Sequence, residues 1–237
     1  MSIEELIKNN DYFHNYQPIY NISNWKIAGY EGLLRTKKFP NPEFAFLTAK
    51  KEKQLYELDS RSIHKAVITY NAAGFTKTDG YLFLNVFPST ILHANFPLFY
   101  KKIITDDNLS CQQIVFEISD LESITDLTTL KQKIIELKIQ GFLIAIDDIG
   151  KGNSDLRAII ELEPEYIKLD RYFSDNLLES KQKQDFIQMF INYSENYNTK
   201  LILEGLENEK DLAVAKSLGI TYAQGYILGK PKKLTKF

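Results

Sequence analysis

Cysteine is nearly absent from this chain of 237 residues, because Cys111 is the single one. One thiol cannot form an internal disulfide, and no CxxC pair is present, so we expect Cys111 to be an ordinary buried or loop thiol. Histidine is also scarce, and His14, His64 and His93 all lie away from the acidic motifs described below. A zinc site built from histidines is therefore disfavoured, and we expect these three side chains at the surface or in packing positions.

Long apolar segments and a strong net charge are missing as well. The longest apolar runs cover only a handful of residues, and the N-terminal segment carries Glu4, Glu5 and Lys8 instead of a signal-peptide core. The formal net charge is only −2. A binder of long nucleic acid needs a basic face, so that class is disfavoured, whereas a small phosphate ligand is compatible with this charge. We expect a soluble, cytoplasmic protein without a membrane segment.

Strand and helix patterns alternate along the chain, and no linker or repeat divides it, so we expect a single domain over residues 1–237. Eight apolar runs predict the strands Tyr16–Tyr20, Lys26–Leu34, Tyr81–Val86, Gln113–Ile118, Phe142–Asp147, Tyr166–Leu169, Lys200–Glu204 and Ala223–Ile227. Helical periodicity predicts the helices Asp59–Tyr70, Ser89–Ile104, Leu127–Ile139, Ser154–Leu162, Gln182–Tyr197 and Glu209–Leu218. Such alternation is typical of βα units around a parallel sheet.

The first two predicted strands form an exception to the parallel arrangement. Only residues 21–25 separate them, which is too short for a parallel crossover, so we expect an antiparallel hairpin. Asp126 and Asn208 are typical helix starts, and Gly141 and Gly219 are typical helix ends. The predicted fold class is therefore α/β, a modified TIM-like (β/α)8 barrel with one antiparallel strand.

Acidic or amide side chains follow several of the apolar runs, and this is the most informative pattern in the sequence. They are Asn85, Glu117, Asp147 with Asp148, and Glu204. Because the carboxyl ends of parallel barrel strands meet on one face, we expect these side chains to converge there. Buried carboxylates require compensating charge. One or two hard divalent cations, Mg²⁺ or Mn²⁺, are the ligands that this set of oxygen atoms favours.

Two further strands carry charged side chains at alternating positions. The two-residue period places Glu31 and Arg35 on one face, either as an intra-strand charge pair or as a metal ligand and a phosphate clamp. Lys168 and Asp170 also share a face. Lys168 is a surface lysine, a Schiff-base lysine or an ammonium that positions a nucleophilic water, and the sequence alone does not distinguish among these.

The remaining acidic motifs also have two interpretations each. Asp147 and Asp148, with Gly150 behind them, are either a helix cap and a turn aspartate or a pair in which one carboxylate bridges two metals. Glu204 is either a surface loop acid or a general base or water-binding group, with Gln224 as polar lining.

Eight short motifs occur in a fixed order from about residue 16 to residue 231, and together they resemble one family. They are Tyr16-Gln17-Pro18-Ile19, Gly29-Tyr30-Glu31-Gly32-Leu33-Leu34-Arg35, Leu84-Asn85-Val86, Phe116-Glu117-Ile118, Asp147-Asp148-Ile149-Gly150, Ile167-Lys168-Leu169-Asp170, Glu204-Gly205-Leu206-Glu207 and Gln224-Gly225-Tyr226. Each motif is weak alone, but the ordered set is specific. The sequence is similar to the EAL domain, the cyclic di-GMP phosphodiesterase family.

The resemblance implies a metal-dependent enzyme that opens cyclic di-GMP to linear pGpG, with two Mg²⁺ or Mn²⁺ ions. One ion would be held by Glu31, Asn85, Glu117 and Asp147, and the second by Asp147 and Asp148. Lys168 and Glu204 would flank the attacking water. The implied substrate contacts are Gln17, Arg35, Asp170 and Gln224. The resemblance also implies a homodimer, and it is compatible with a regulatory protein partner.

Three departures from the family pattern concern the signature and one loop. The signature Glu-Ala-Leu appears as Glu-Gly-Leu, with Gly32 in the middle. The loop that usually reads Phe-Gly-Thr-Gly-aromatic-Ser-Ser is here Ile149-Gly150-Lys151-Gly152-Asn153-Ser154-Asp155. The glutamate that normally anchors this loop is Asp120. We therefore expect turnover that is slow or that depends differently on dimerisation.

Two alternatives to the active phosphodiesterase stay open at this stage. The altered loop favours a non-catalytic module of the same fold, which senses cyclic di-GMP or docks onto a protein. The intact carboxylates oppose it. The other alternative is a different metal-dependent or Schiff-base barrel enzyme, in which Lys168 would be the reacting amine.

Overall fold

The computed structural model describes residues 2–76, 78–106, 110–119, 121–151 and 156–234. Its strands are β1 (Tyr12–Asn21), β2 (Lys26–Thr36), β3 (Tyr81–Val86), β4 (Ile114–Ile118), β5 (Leu143–Ile149), β6 (Tyr166–Leu169), β7 (Lys200–Leu203) and β8 (Tyr222–Ala223). They close into a barrel in chain order. β1 runs antiparallel to both of its neighbours, β2 and β8, and the other neighbouring pairs are parallel. The predicted barrel with one reversed strand is confirmed.

Helices surround this barrel over the described ranges. They are α1 (Ile3–Lys8), α2 (Pro42–Lys51), α3 (Leu55–Ala72), α4 (Pro88–Ile91), α5 (Phe96–Asp106), α6 (Leu127–Ile139), α7 (Leu156–Leu162), α8 (Arg171–Ser174), α9 (Lys181–Tyr197) and α10 (Glu209–Leu218). The predicted caps at Asp126 and Asn208 are confirmed, because their side chains accept from Thr129 and Asp211 at 2.9 Å. Ser154, the predicted start of α7, lies outside the described residues. Each of the described helices is too short or too polar to cross a bilayer.

The predicted helix Ser89–Ile104 is wrong as a single element. The chain leaves the helical path after Ile91, and α5 begins only at Phe96. Pro97 explains the break, because it has no N–H and its ring clashes with the carbonyl of the residue four positions earlier, His93. Proline is tolerated in the first turn of a new helix, which is where the structure has it.

The predicted last strand, Ala223–Ile227, is also wrong in extent, since β8 covers only Tyr222–Ala223. The backbone turns immediately afterwards. The N–H groups of Leu228 and Gly229 both donate to the carbonyl of Gly225, at 3.1 and 2.9 Å. The apolar residues that suggested a longer strand belong to this turn.

The helices α1 and α2 were not predicted, although both begin at recognisable signals. Ser2 and Glu5 form a reciprocal capping box at the start of α1. Asn41 caps α2, which has Pro42 in its first turn. Both helices pack in a small apolar cluster beside the β1–β2 hairpin.

Apolar side chains fill the barrel toward the amino-terminal ends of its parallel strands. This inner cluster consists of Ile19, Phe83, Val115, Ala145, Tyr166 and Ile202. Because side chains on a strand return to the same face every two residues, the next inward positions belong to other residues. Those positions are Gln17, Asn85, Glu117, Asp147, Lys168 and Glu204. The barrel interior is therefore apolar below and polar above, and each polar residue stands on an apolar one.

Two glycines of β2 differ in the space around them. A Cβ on Gly29 would fall on the backbone carbonyl of Tyr81, so the barrel closes tightly there. A Cβ on Gly32 would lie 3.1 Å from Cδ2 of Leu84, a side-chain methyl. Gly32 and Leu84 also line a cavity of ≈ 150 Å³, which gives that methyl room to move.

We therefore expect Gly32→Ala to raise the free energy of unfolding by about 0.5–1 kcal/mol, because alanine loses less backbone entropy than glycine in a strand. Gly29→Ala is the matched control, and it should destabilise the barrel through the clash with Tyr81. Urea denaturation of the two variants measures both effects. A lower stability for Gly32→Ala would mean that Leu84 cannot yield.

Candidate active site

The ammonium of Lys168 lies in the middle of four carboxylates at the upper end of the barrel. Its Nζ is 2.7 Å from Glu117 Oε1, 2.8 Å from Glu204 Oε1, 3.0 Å from Asp147 Oδ1 and 3.6 Å from Glu31 Oε2. The lysine is only 1% exposed. The alternative of a surface lysine is therefore wrong, and β6 directs this side chain into the barrel.

Burial and the four acids act on the Lys168 pKa in opposite directions. Desolvation lowers the pKa of this lysine, but the carboxylates of Asp147, Glu117, Glu204 and Glu31 together raise it well above its ordinary value. Burial in turn raises the pKa of Glu117, Asp147 and Glu204, and Lys168 only partly opposes that shift. The lysine thus stays charged, whereas the surrounding carboxyl groups hold protons more tightly than exposed ones would.

Amide side chains connect the carboxylates to one another. Asn85 Nδ2 donates to Glu31 Oε1 and to Glu117 Oε2, both at 3.2 Å. Gln224 Nε2 donates to Glu31 Oε2 at 2.8 Å. Gln17, which lies opposite Glu31 in the β1–β2 ladder, donates instead to the carbonyl of Gly229 at 3.0 Å. Glu31 therefore has both of its oxygens fixed, one by Asn85 of β3 and the other by Gln224, which follows β8.

Asp147 and Asp148 face different partners at the end of β5. Asp147 points to Lys168 and accepts a hydrogen bond from the N–H of Asp148 at 2.9 Å. Asp148 has a left-handed backbone with φ of 54°, and its Oδ2 pairs with Lys151 Nζ at 2.8 Å. Asp170 caps α8 and accepts from Tyr172 N–H at 2.8 Å.

An open cavity of ≈ 430 Å³ lies above these groups. Of the predicted site residues, those that line it are Gln17, Glu31, Asn85, Asp147, Asp148, Asp170, Glu204 and Gln224. Glu117 and Lys168 are buried beneath it. Arg35 lines a smaller side cavity that shares Leu33 and Asn85 with the open one. Its Nη1 donates to the carbonyl of Leu34 at 2.8 Å.

Some lining residues were given no role by the sequence analysis, although all but one of them stand in its motifs or in its altered loop. They are Leu33, Lys151, Arg171, Glu207 and Tyr226. The position of Glu207, three residues after Glu204 in a strand-end loop, was a usable signal. Arg171 and Lys151 carried none, because exposed basic residues are common. The histidine expectation agrees with the structure at His14, which is buried with Nε2 3.0 Å from Ser62 Oγ.

The residues at this site fit divalent cations. Carboxylate oxygens of Glu31, Glu117 and Asp147 lie within 4.8 Å of one another, and so do those of Asp147, Asp148 and Glu204. Asp147 belongs to both groups, which we call the inner and the outer group. Glu117 Oε1 is buried and has the ion pair with Lys168 but no well-directed hydrogen bond. All of these donors are oxygen atoms, which suit hard cations. Asp120 and residues 152–155, which carry two of the sequence departures, lie outside the described residues.

The family model for the EAL domain matches residues 1–231. This chain belongs to the EAL domain family. Among its relatives is the cyclic di-GMP phosphodiesterase TpdA of Vibrio parahaemolyticus, 28% identical over 90% of this chain and 36% of its own length. Another is the cyclic di-GMP phosphodiesterase PdeF of Escherichia coli, 23% identical over 98% of this chain and 31% of its own length. The EAL chain therefore spans about a third of the length of these curated relatives.

A solved structure of Klebsiella pneumoniae BlrP1, described as a manganese and cyclic di-GMP complex, superposes on this EAL domain with a TM-score of 0.85. The two are 22% identical, and the match covers 94% of this chain and 56% of that one. At this identity the likeness shows the fold, and it agrees with the closed barrel and its reversed strand.

Replacing Lys168 by methionine should leave four buried carboxylates facing one another. We expect Lys168→Met to lower the free energy of unfolding by about 3–5 kcal/mol at neutral pH without divalent metal, the usual cost of removing one partner from a buried ion pair. The loss should grow as the pH rises above about 4, because without the ammonium the pKa values of the buried carboxyl groups rise further in the folded protein, while those of the unfolded chain stay the same.

Urea denaturation in the presence of a chelator, at mildly acidic and mildly alkaline pH, measures this effect. The control is Lys131→Met, which removes an exposed ion pair with Glu161 at 3.0 Å. That exposed pair should contribute less than about 1 kcal/mol. Equal small losses in the two variants would contradict the central role of Lys168.

Proposed function

We propose that this EAL domain hydrolyses cyclic di-GMP to linear pGpG in a reaction that requires Mg²⁺ or Mn²⁺. The observation that carries the proposal is the pair of carboxylate groups that share Asp147, each close enough to hold one cation. The named activity of the relatives and the bound manganese and cyclic di-GMP of BlrP1 support the same reaction class.

The inner cation would be held by Glu31, Asn85, Glu117 and Asp147, and the outer one by Asp147 and Asp148. Two bound cations supply Lewis acidity, which lowers the pKa of water and neutralises charge on the phosphate and on the leaving 3′-oxygen. Asn85 can offer its amide oxygen to the inner cation once its side-chain amide is turned. Gln224 keeps Glu31 oriented through its 2.8 Å hydrogen bond.

Glu204 lies on the open side of the cluster, where the attacking water would enter, and Lys168 lies beneath it. Glu204 lines the open cavity and is 2.8 Å from the Lys168 ammonium. We infer that Glu204 accepts the water's proton and that Lys168 donates a hydrogen bond that orients its oxygen. A lysine held as an ammonium by four carboxylates is a poor amine nucleophile, so the arrangement disfavours the Schiff-base alternative.

The polar residues around the open cavity would hold the substrate. Gln17, Asp170 and Gln224 line it and offer hydrogen-bonding groups, while Arg35 lies in the adjoining side cavity. The guanidinium of Arg35 would bind a phosphate or a base edge that reaches past Leu33. Polar groups at fixed positions around an open cavity are the usual means of orienting a nucleotide.

A second candidate function is that of a cyclic di-GMP receptor with little or no turnover. The observation that favours it is the ion pair between Lys151 and Asp148, since it engages a carboxylate that the outer cation would need. A receptor requires the cavity but not the second cation. The two candidates therefore predict the same ligand, but only the enzyme predicts rapid formation of pGpG.

We expect purified protein to form pGpG from cyclic di-GMP with Mg²⁺ or Mn²⁺ and to form none with a chelator. Glu31→Gln and Asp147→Asn should each lower the rate by more than about 100-fold, which is the upper range for residues that only orient a ligand. Glu161→Gln is the matched control, because it makes the same chemical change on the exposed surface of α7.

Chromatographic separation of pGpG from cyclic di-GMP measures the rate. Product that persists with a chelator or in Glu31→Gln would rule out the two-cation reaction. Tight binding of cyclic di-GMP without product under either metal would make the domain a receptor, and absence of binding would leave a protein partner as its ligand.

A further inference from the structure

Lys151 lies at the rim of the site, directly after β5, and its ammonium is bound to a candidate metal ligand. Nζ is 2.8 Å from Oδ2 of Asp148. The backbone brings the two side chains together, because the N–H of Lys151 donates to the carbonyl of Asp148 at 3.0 Å. Lys151 also lines the open cavity. The ion pair is therefore part of the site and follows from the turn that ends the strand.

The inner and outer groups differ in the positive charge they already contact. In the inner group, Glu31, Glu117 and Asp147 share the ammonium of Lys168. In the outer group, Lys168 contacts Asp147 and Glu204, and Lys151 adds a second ammonium at Asp148. A threonine, which the family loop usually has at this position, would add no charge. The outer group of this chain is therefore the more fully neutralised of the two.

We propose that Lys151 is a tethered cation that competes with the outer divalent ion for Asp148. This inference rests on the proposed two-cation function. A divalent ion that binds Asp148 either displaces the ammonium from Oδ2, 2.8 Å away, or binds the other oxygen beside it, and in both cases it lies close to the ammonium charge. The inner ion would stay bound at metal concentrations where the outer ion exchanges. The concentration of free metal would therefore control the fraction of molecules that carry both ions.

The strength of this competition is limited by exposure. The Lys151 side chain is 51% exposed and that of Asp148 is 22% exposed, so solvent and salt screen their interaction. We therefore expect a shift in outer-ion affinity of about tenfold, and not the loss of binding that removal of Asp148 would cause.

The test is Mn²⁺ binding without substrate. Calorimetry and the loss of the free-ion electron paramagnetic resonance signal both measure it. We expect wild-type protein to bind one ion tightly and a second weakly. Lys151→Gln should bind the second ion about tenfold more tightly and the first unchanged, whereas Lys151→Arg should behave like wild type. Lys133→Gln is the matched control, since Lys133 makes an exposed i,i+3 ion pair of 2.9 Å with Glu136 on α6.

A double-variant cycle shows whether Lys151 acts through Asp148. In an Asp148→Asn background, Lys151→Gln should no longer change Mn²⁺ binding, and added salt should reduce its effect in the wild-type background. If wild type and Lys151→Gln bind each of the two ions with the same affinity, the competition is overturned and the proposed function is left intact. Absence of Mn²⁺ binding in every variant would instead overturn the two-cation proposal, and this inference with it.

Discussion

The site depends on a single positive charge placed among four carboxylates. Carboxylates at the end of an apolar barrel are costly unless a cation lies among them, and Lys168 provides it from β6. One ammonium cannot balance four ionised acids, which agrees with the raised pKa values of Glu117, Asp147 and Glu204. A site in this condition offers oxygen atoms to a divalent metal, and a metal that binds there displaces protons, so its affinity should rise with pH.

The barrel makes this concentration of charge tolerable because it separates polar from apolar layers with the two-residue period of its strands. Phe83 lies two residues before Asn85, Val115 before Glu117 and Tyr166 before Lys168. Each apolar residue packs in the inner cluster, and the polar residue above it either lines the cavity, as Asn85 does, or lies directly beneath it, as Glu117 and Lys168 do. The reversed β1 obeys the same rule in the opposite chain direction, since Gln17 precedes Ile19. The two-residue alternation along the strands thus determines both the packing of the barrel and the position of the polar site.

That alternation explains which parts of the site were accessible to sequence analysis. Asn85, Glu117, Asp147 and Glu204 end apolar runs, so their convergence followed from the geometry of parallel strands. The direction of Lys168 did not, because a lysine between apolar residues fits the surface and the interior equally well. The expected role of Gln17 came from family resemblance alone, whereas Gln224 was also expected as polar lining beside the last strand.

Errors in the fold arose where a local backbone event outweighed an apolar pattern. Pro97 divides the helix predicted over Ser89–Ile104, and the turn at Gly225 ends β8 early. Both signals are short, whereas the periodicity they interrupt extends over many residues. The caps of α1 and α2 were present in the sequence but were not weighed, because these helices lie outside the alternating βα pattern.

Under the proposed two-cation function, an enzyme and a receptor built on this barrel would differ in how much of the positive charge at the site the protein itself supplies. Lys168 is needed in either case, since Glu31 and Glu117 are buried and require a balancing charge. The outer group is half-buried and near solvent, so it can be neutralised by a metal ion or by a side chain such as Lys151. Each further ammonium at the rim makes the site less dependent on metal and less able to activate water. Under that proposal, substitutions at the rim would shift the domain between the two functions while the barrel and its inner charges stay the same.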